Sequence, residues 1–280
     1  MAWFQVSFYS ECLSRSVPLN VLIPADNGRL AASAREGNYR TLYLLHGYSG
    51  NCTDWLLNGQ VNEISRQYQL AVVMPSGNNG DYVDQPKSGI LGSTFVSREL
   101  VDFTRKLFPL SDRREDTILA GFSMGGYGAL YNAMKRYDVF GHAIALSASF
   151  MPPIPKGDAE RAYFEALHGD VATVTETDRN LKLTAKTLLA SGRVLPDLYI
   201  ACGYNDVFVP KSRDYSAYLT EIGFEHTYEE GPGTHDWSFW NAYLRRGLDH
   251  VLPDRPALPP NRFWTDKYAP AEFASAEGVV

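Results

Sequence analysis

Four short runs of this chain are apolar almost without interruption: TLYLL from Thr41, LAVVM from Leu70, ILAGF from Ile118 and LYIAC from Leu198. Each is too short for a helix and does not alternate with polar residues. A strand buried on both faces has this pattern, and such strands occur in parallel sheets covered by helices on either side. Helix-period stretches separate the runs. VSRELVDFTRKLF places Val96, Leu100, Val101, Phe103, Leu107 and Phe108 on one stripe, and WSFWNAYLRRGLDHVL does the same with Trp237, Trp240, Tyr243, Leu244, Leu248 and Val251. WFQVSFYS and VPLNVLIP read as an opening hairpin, and FEHTYEE as a further strand. Strands alternating with helices predict an α/β fold with a mostly parallel central sheet and right-handed crossovers.

One domain over residues 1–252 accommodates these elements, and 280 residues with 45% hydrophobic content can fill its core. Residues 150–193 interrupt the rhythm. They open with MPPIPKGD, continue with two weakly amphipathic helical patterns, and read as an insertion over one end of the sheet. Residues 253–280 form a proline-rich tail. Its Phe263, Trp264 and Tyr268 are expected to pack on the body or on a second subunit.

Charge and composition exclude several functions. A net charge of −6 and no basic run argue against nucleic acid as a partner. No window approaches the roughly 20 apolar residues of a membrane span. The first residues lack a basic segment followed by an apolar one, and Cys12, Cys52 and Cys202 are widely spaced, so reduced thiols and a cytoplasmic location are expected. No H-E-x-x-H, ligand-spaced Cys/His cluster, P-loop or post-strand G-x-G-x-x-G appears, so neither a metal nor a nucleotide cofactor is expected.

The chemistry is concentrated in DTILAGFSMGGYGALYNAM: a strand, Gly-x-Ser-x-Gly, then a helix. A sharp strand-to-helix bend holds its central residue in a strained backbone and lifts the side chain clear of the sheet. Gly121 and Gly125 flank the bend where a Cβ would crowd the neighbouring strand and helix, and Gly126 and Gly128 let the helix lie close. Ser123 is therefore the candidate nucleophile, with a helix N-cap serine as the plain structural alternative. A serine hydroxyl needs a base, and the base needs an orienting group.

After a serine on such a bend, the acid and then the base follow along the chain. The histidines beyond it are His142, His168, His226, His235 and His250. His235 is favoured because it lies in a loop, EEGPGTHDWSFW, between the last strand and the last helix. His226 falls within the preceding strand, His250 at a helix end, His168 in the insertion and His142 at the opposite sheet edge. Asp206, in the loop after LYIACG, is the favoured acid. Asp197 precedes that strand, and Glu229 and Glu230 are the competitors. The oxyanion of a tetrahedral intermediate requires N–H donors. Met124, directly after the serine, supplies one, and Tyr48 in LLHGYSGN the other, with Gly47 permitting an unusual backbone path. His46 reads as a residue holding this loop, with a role as base the alternative.

Taken together, TLYLLHGYSGNCTDW, LAVVMPSGNNGDYVD, ELVDFTRKLFP, ILAGFSMGGYGAL, LYIACGYNDVF and GTHDWSFW resemble the esterase D branch of the α/β-hydrolases, most closely its bacterial tributyrin-esterase-like members. S-formylglutathione hydrolases and the carbohydrate esterases that release feruloyl or acetyl groups are related groups. The motifs run in family order from about Leu19 to Leu252. The resemblance implies an α/β-hydrolase fold, a Ser123–Asp206–His235 triad, oxyanion N–H donors at Tyr48 and Met124, and a small-molecule ester with a short acyl chain as substrate. It also implies no cofactor and, often, a homo-oligomer. The formylglutathione branch carries a cysteine early in the loop after His-Gly, where this chain has Ser49 and Gly50 with Cys52 displaced, which weighs against a thioester substrate. A catalytically inactive hydrolase fold used as a binding module should lack a triad member, and this chain retains all three. Trp55, Tyr82, Phe122, Phe150, Phe208 and Trp237 lie near the motifs, either as pocket lining or as core.

Overall fold

In a computed structural model, which describes residues 1–25, 38–150, 155 and 157–253, the apolar runs form the middle of one sheet. Strands β1 (Ala2–Ser10) and β2 (Arg15–Ile23) pair antiparallel in continuous register, from Ala2 opposite Ile23 to Ser10 opposite Arg15. The strands β3 (Thr41–Leu45), β4 (Ala71–Pro75), β5 (Thr117–Phe122), β6 (His142–Leu146), β7 (Asp197–Gly203) and β8 (Thr227–Gly231) follow. The eight lie in the order β1-β2-β4-β3-β5-β6-β7-β8. From β4 through β8 all pairings are parallel, and β2 joins β4 antiparallel. Every residue of β3, β4 and β5 is buried, as continuous apolar runs require.

The helices are α1 (Asp54–Asn58), α2 (Val61–Tyr68), α3 (Gly92–Thr94), α4 (Leu100–Leu107), α5 (Met124–Lys135), α6 (Asp158–His168), α7 (Leu181–Ala190), α8 (Val209–Ile222) and α9 (Trp237–Val251). A π-helical turn, Phe95–Glu99, joins α3 to α4. The strands present alternate residues to two cores. Ile118 and Ala120 meet α1, α2 and α9 through Trp55, Ile64, Tyr68, Leu244 and Leu248. Leu119 faces the other way, toward Leu100, Tyr127, Leu130 and Tyr215 from α4, α5 and α8. Each fully buried side chain of this size contributes about 1.5–3 kcal/mol, so the two cores hold helices against both faces of the sheet.

Two details depart from the sequence expectations. The predicted stripe through α4 is tilted: Leu100, Val101 and Thr104 are buried, while Phe103 is half-buried and Leu107 is 53% exposed. The Tyr43 hydroxyl bonds Thr104 Oγ1 at 2.9 Å, drawing Thr104 into the buried line and leaving Leu107 at its flank. His226 precedes β8 rather than lying within it. Its ring is tied to the Ser216 hydroxyl at 2.8 Å and to the Phe224 carbonyl at 3.0 Å. Both helical patterns of residues 150–193 appear, as α6 and α7 between β6 and β7. Phe263, Trp264 and Tyr268 lie outside the described residues. Among the described residues no helix is long and apolar enough to cross a membrane.

Candidate active site

Because β3 and β5 through β8 run parallel, their C-terminal ends share one edge, where α/β sheets collect ligand-binding loops. Ser123 follows β5 directly. Its backbone has φ 55° and ψ −119°, a conformation an L-residue adopts only under constraint, and its side chain makes no capping bond to α5. The constraint is visible in the flanking glycines. A Cβ on Gly121 would stand 2.5 Å from the Gly125 carbonyl, and one on Gly125 would stand 2.6 Å from the Leu45 carbonyl. Strand, bend and helix are in backbone contact, so Ser123 has nowhere to point but out. Gly126 makes a similar approach to Ala148 on the β6 side, whereas Gly128 accommodates the Tyr82 ring rather than the sheet.

Asp206 sits in the loop after β7 and His235 in the loop after β8. The structure brings them together: Asp206 Oδ2 accepts from His235 Nδ1 at 2.9 Å. The carboxylate is wholly buried and the imidazole is 30% exposed. Asp206 Oδ1 also accepts the Phe208 N–H at 2.9 Å. Burial alone would raise the pKa of this carboxyl, but His235, the Phe208 N–H and the Ser147 hydroxyl outweigh it and hold it below the ordinary aspartate value. An ionised Asp206 fixes the neutral imidazole with its proton on Nδ1, leaving Nε2 as the free acceptor a general base needs.

Aromatic contacts link His235 to the serine bend. His235 meets the Trp240 ring edge-on, with centroids 5.0 Å apart, and Trp240 stacks on Phe122 at 4.0 Å. Phe122 immediately precedes Ser123, so one indole separates the imidazole from the residue beside the candidate nucleophile. Trp55 and Trp237 complete the aromatic block around Phe122, at 5.4 and 4.9 Å. Phe208 presents its ring to His235 at 5.3 Å. Of the other aromatic residues singled out above, Tyr82 and Phe150 are core residues, 3% and 7% exposed.

The competing histidines and acids are occupied elsewhere. Asp197 opens β7 at the opposite edge and pairs with His142 at 3.4 Å and His250 at 3.2 Å. Glu229 is held by Tyr199 and Arg246, and Glu230 by Arg213 at 2.7 Å. His168, on α6, forms a buried pair with Asp81 at 2.9 Å.

The loop after β3 reaches the same edge. Gly47 to Gly50 form a turn closed by the Gly50 N–H and the Gly47 carbonyl at 3.2 Å, and the left-handed residue is Ser49, with φ 63°. The expectation that Gly47 takes an unusual backbone path is therefore corrected. Gly47 is needed because a Cβ there would stand 2.4 Å from the Phe122 ring. That approach carries the Tyr48 backbone to the serine bend. Met124 begins α5, so its N–H has no partner within the helix and points out at the helix N-terminus. His46 braces the loop: its Nδ1 donates to the Gly47 carbonyl at 2.7 Å, and its Nε2 accepts the Gly77 N–H at 2.9 Å. The Nε2 bond exists only in the neutral ring, and burial pushes its pKa below the ordinary histidine value, with the Gly47 carbonyl pulling the other way. Asn79, which carries no sequence motif, accepts the Ser49 N–H at 2.7 Å with its side chain and the Tyr163 hydroxyl of α6 at 2.9 Å with its carbonyl. Among the described residues no three His, Cys, Asp or Glu side chains form a set that could hold a metal ion.

Comparison with known proteins assigns the chain to a family. The family described as "Putative esterase" matches residues 10–251. An acetyl esterase of Caldicellulosiruptor saccharolyticus is 36% identical over 259 residues, covering 89% of this chain and 97% of its own. Two solved structures from Staphylococcus aureus are similar at 27% identity. One is an S-formylglutathione hydrolase, with a TM-score of 0.78 over 90% of this chain and 98% of its own. The other is a fluorophosphonate-binding serine hydrolase with substrate bound, with a TM-score of 0.79 over 90% of this chain and 99% of its own. With its α/β-hydrolase sheet and this family match across most of its length, the chain belongs to the esterase family and is a carboxylic ester hydrolase acting on a small-molecule ester.

Proposed function

We propose that the chain is a serine carboxylesterase for short-chain acyl esters, working through an acyl-enzyme on Ser123. The observation that carries this reading is the 2.9 Å bond between buried Asp206 and His235, at the sheet edge where the β5–α5 bend presents Ser123. Ser123 attacks the ester carbonyl while His235 Nε2 takes its proton. Asp206 holds the ring and stabilises the imidazolium. The N–H groups of Tyr48 and Met124 receive the oxyanion, each worth about 3 kcal/mol at such a site. His235 then protonates the departing alcohol, and water releases the acid by the same steps in reverse. In this reading residues 1–252 act as one domain, and residues 150–193 cover the site, with α6 tied to Asn79 at the mouth of the oxyanion loop. The free, buried Cys12, Cys52 and Cys202 fit a cytoplasmic enzyme. A homo-oligomer is part of the same proposal.

The similarity to an acetyl esterase supports a short acyl group. Cys52 is buried in the β3–α1 loop rather than displayed at the site, which disfavours the thioester alternative. The test is a series of p-nitrophenyl esters from acetyl to decanoyl, run beside methyl ferulate and S-formylglutathione. The proposal requires kcat/KM to peak at acetyl to butyryl and Ser123→Ala to abolish turnover. A peak on ferulate or on the thioester would replace the substrate assignment, and an active Ser123→Ala enzyme would remove the nucleophile.

A further inference from the structure

The two edges of the sheet are built differently. β8 is five residues long and carries Glu229 and Glu230, which pair with Arg246 of α9 and Arg213 of α8. Short length and charge are common means by which a sheet edge is kept from pairing with another chain. β1, the other outermost strand, has neither. Its nine residues, AWFQVSFYS, contain no charge and no proline, and its register with β2 runs without a bulge from Ala2 to Ser10. Among the described residues no strand pairs with its outer side, so every second residue of β1 turns an N–H and a carbonyl outward. The strand is also held in place. Phe8 stacks on Phe103 with centroids 4.0 Å apart, Phe4 meets Phe108 at 5.3 Å, and the Trp3 indole N–H donates to Asn20 Oδ1 at 2.9 Å. Even so, Trp3, Phe4 and Tyr9 remain 58%, 42% and 65% exposed.

We propose that β1 pairs antiparallel with β1 of a second copy of this chain, so that two eight-stranded sheets join across a two-fold axis at Val6. This names the interface of the homo-oligomer proposed above. The strand supplies its own complement. With Val6 opposite Val6 of the second copy, Trp3 faces Tyr9, Phe4 faces Phe8 and Gln5 faces Ser7, and the two-fold axis repeats each pair. Aromatic meets aromatic and polar meets polar, the kind of cross-strand pairing that stabilises a sheet. A shift by two residues would set Trp3 against Ser7 and lose the match. An unrelated strand has no reason to present this sequence of partners, so a second copy is the occupant. At about 150–250 Å² per fully buried ring, the exposed parts of Trp3, Phe4 and Tyr9 offer roughly 600 Å² over two copies. The backbone and the residues between them then need add only about 400 Å² to reach the size at which specific interfaces begin. Asp206 and His235 follow β7 and β8 at the far end of the strand order, so the pairing leaves the site open.

Sedimentation velocity on the full chain, over roughly 1–100 µM, should give twice the 31.3 kDa mass of one chain. Trp3→Lys/Tyr9→Lys sets lysine against lysine on both sides of the axis and should raise the dimer Kd about a hundred-fold or more. Trp3→Lys/Tyr9→Glu sets lysine against glutamate at the same places and should recover at least about ten-fold of that lost affinity, a rescue specific to this register. Each variant should keep the wild-type far-UV circular dichroism and the wild-type kcat/KM on p-nitrophenyl acetate. A Trp3→Lys/Tyr9→Lys protein as dimeric as wild type, or an opposite-charge variant as dissociated as the like-charge one, would overturn the proposal. If substitution of Trp3 unfolds the chain, Gln5→Lys/Ser7→Lys, at two exposed positions, makes the same test, and a dimer of wild-type strength there is equally fatal. A wild type that is monomeric throughout sinks the homo-oligomer and this interface together. An oligomer indifferent to both β1 variants sinks the interface alone. Neither result touches the Ser123 chemistry, which the ester series and Ser123→Ala decide.

Discussion

Asp206→Asn isolates the electrostatic part of the mechanism because it leaves the shape of the site almost unchanged. The buried carboxylate accepts from Phe208 N–H on Oδ1 and from His235 Nδ1 on Oδ2. An amide can serve both positions in only two ways. With its oxygen toward Phe208, its NH2 faces His235 and forces the imidazole into the tautomer that carries the proton on Nε2, where it cannot act as base. With its oxygen toward His235, its NH2 opposes the Phe208 N–H, leaving buried donors unpaired at a cost of about 1–3 kcal/mol. The unproductive tautomer is therefore favoured. In either orientation the imidazolium formed during attack loses its anionic partner, worth about 1.5–3 kcal/mol more. Together these predict a fall in kcat of roughly a hundred- to ten-thousand-fold, with KM and the melting temperature near their wild-type values. The assay is steady-state hydrolysis of p-nitrophenyl acetate beside a thermal melt. A folded Asp206→Asn enzyme within about ten-fold of wild type would refute the argument, since neither the tautomer nor the charge would then matter.

Three further outcomes follow from the loops around the site. Gly125→Ala should cost several kcal/mol and most of the activity, because its Cβ would stand 2.6 Å from the Leu45 carbonyl and 2.7 Å from the His46 carbonyl; denaturant melts showing a loss below about 1 kcal/mol would contradict the close approach. His46 has a lowered pKa in the folded state, so its contribution to stability is complete above its unfolded value of about 6.5 and is lost as pH falls from there toward the folded value. NMR titration should find its ring neutral below about pH 6.5, and a ring that protonates at or above that value would refute the bracing role. Asn79→Ala removes the acceptor of the Ser49 N–H, so the oxyanion loop should loosen and kcat fall roughly five- to ten-fold with little change in KM; a change confined to KM would mean that Asn79 serves binding instead.

The parts of the account that were legible in the sequence are those with a short-range physical signature. β3, β4, β5 and β7 announced themselves because a strand buried on both faces leaves no room for polar residues. Ser123 was legible because a strained bend between strand and helix demands glycines on either side of it. His235 and Asp206 emerged from their positions after strands that share one edge. The supporting residues left no such trace. Ser147 is an ordinary serine after a strand, and only the fold sets its N–H on the Ala201 carbonyl and its hydroxyl against the Trp240 indole. Trp240 reads as one more member of the α9 stripe, although its indole N–H is bonded and its ring both stacks on Phe122 and meets His235 at a right angle. Asn79 lies in a loop without periodicity, and its contacts join residues 30 and 84 positions away. The tilt that exposes Leu107 likewise depends on a hydroxyl from β3, which no pattern within α4 reveals.

The central claim is that the acyl group of the substrate passes through Ser123. Acid-quenching the wild-type enzyme within the first turnovers of p-nitrophenyl acetate, then mapping its peptides by mass spectrometry, tests this most directly. The account predicts an acetyl adduct on the peptide bearing Ser123, its decay matching turnover, and neither adduct nor hydrolysis in Ser123→Ala. Steady hydrolysis with Ser123 unmodified, or an acetyl group found on another residue that Ser123→Ala leaves in place, would contradict it.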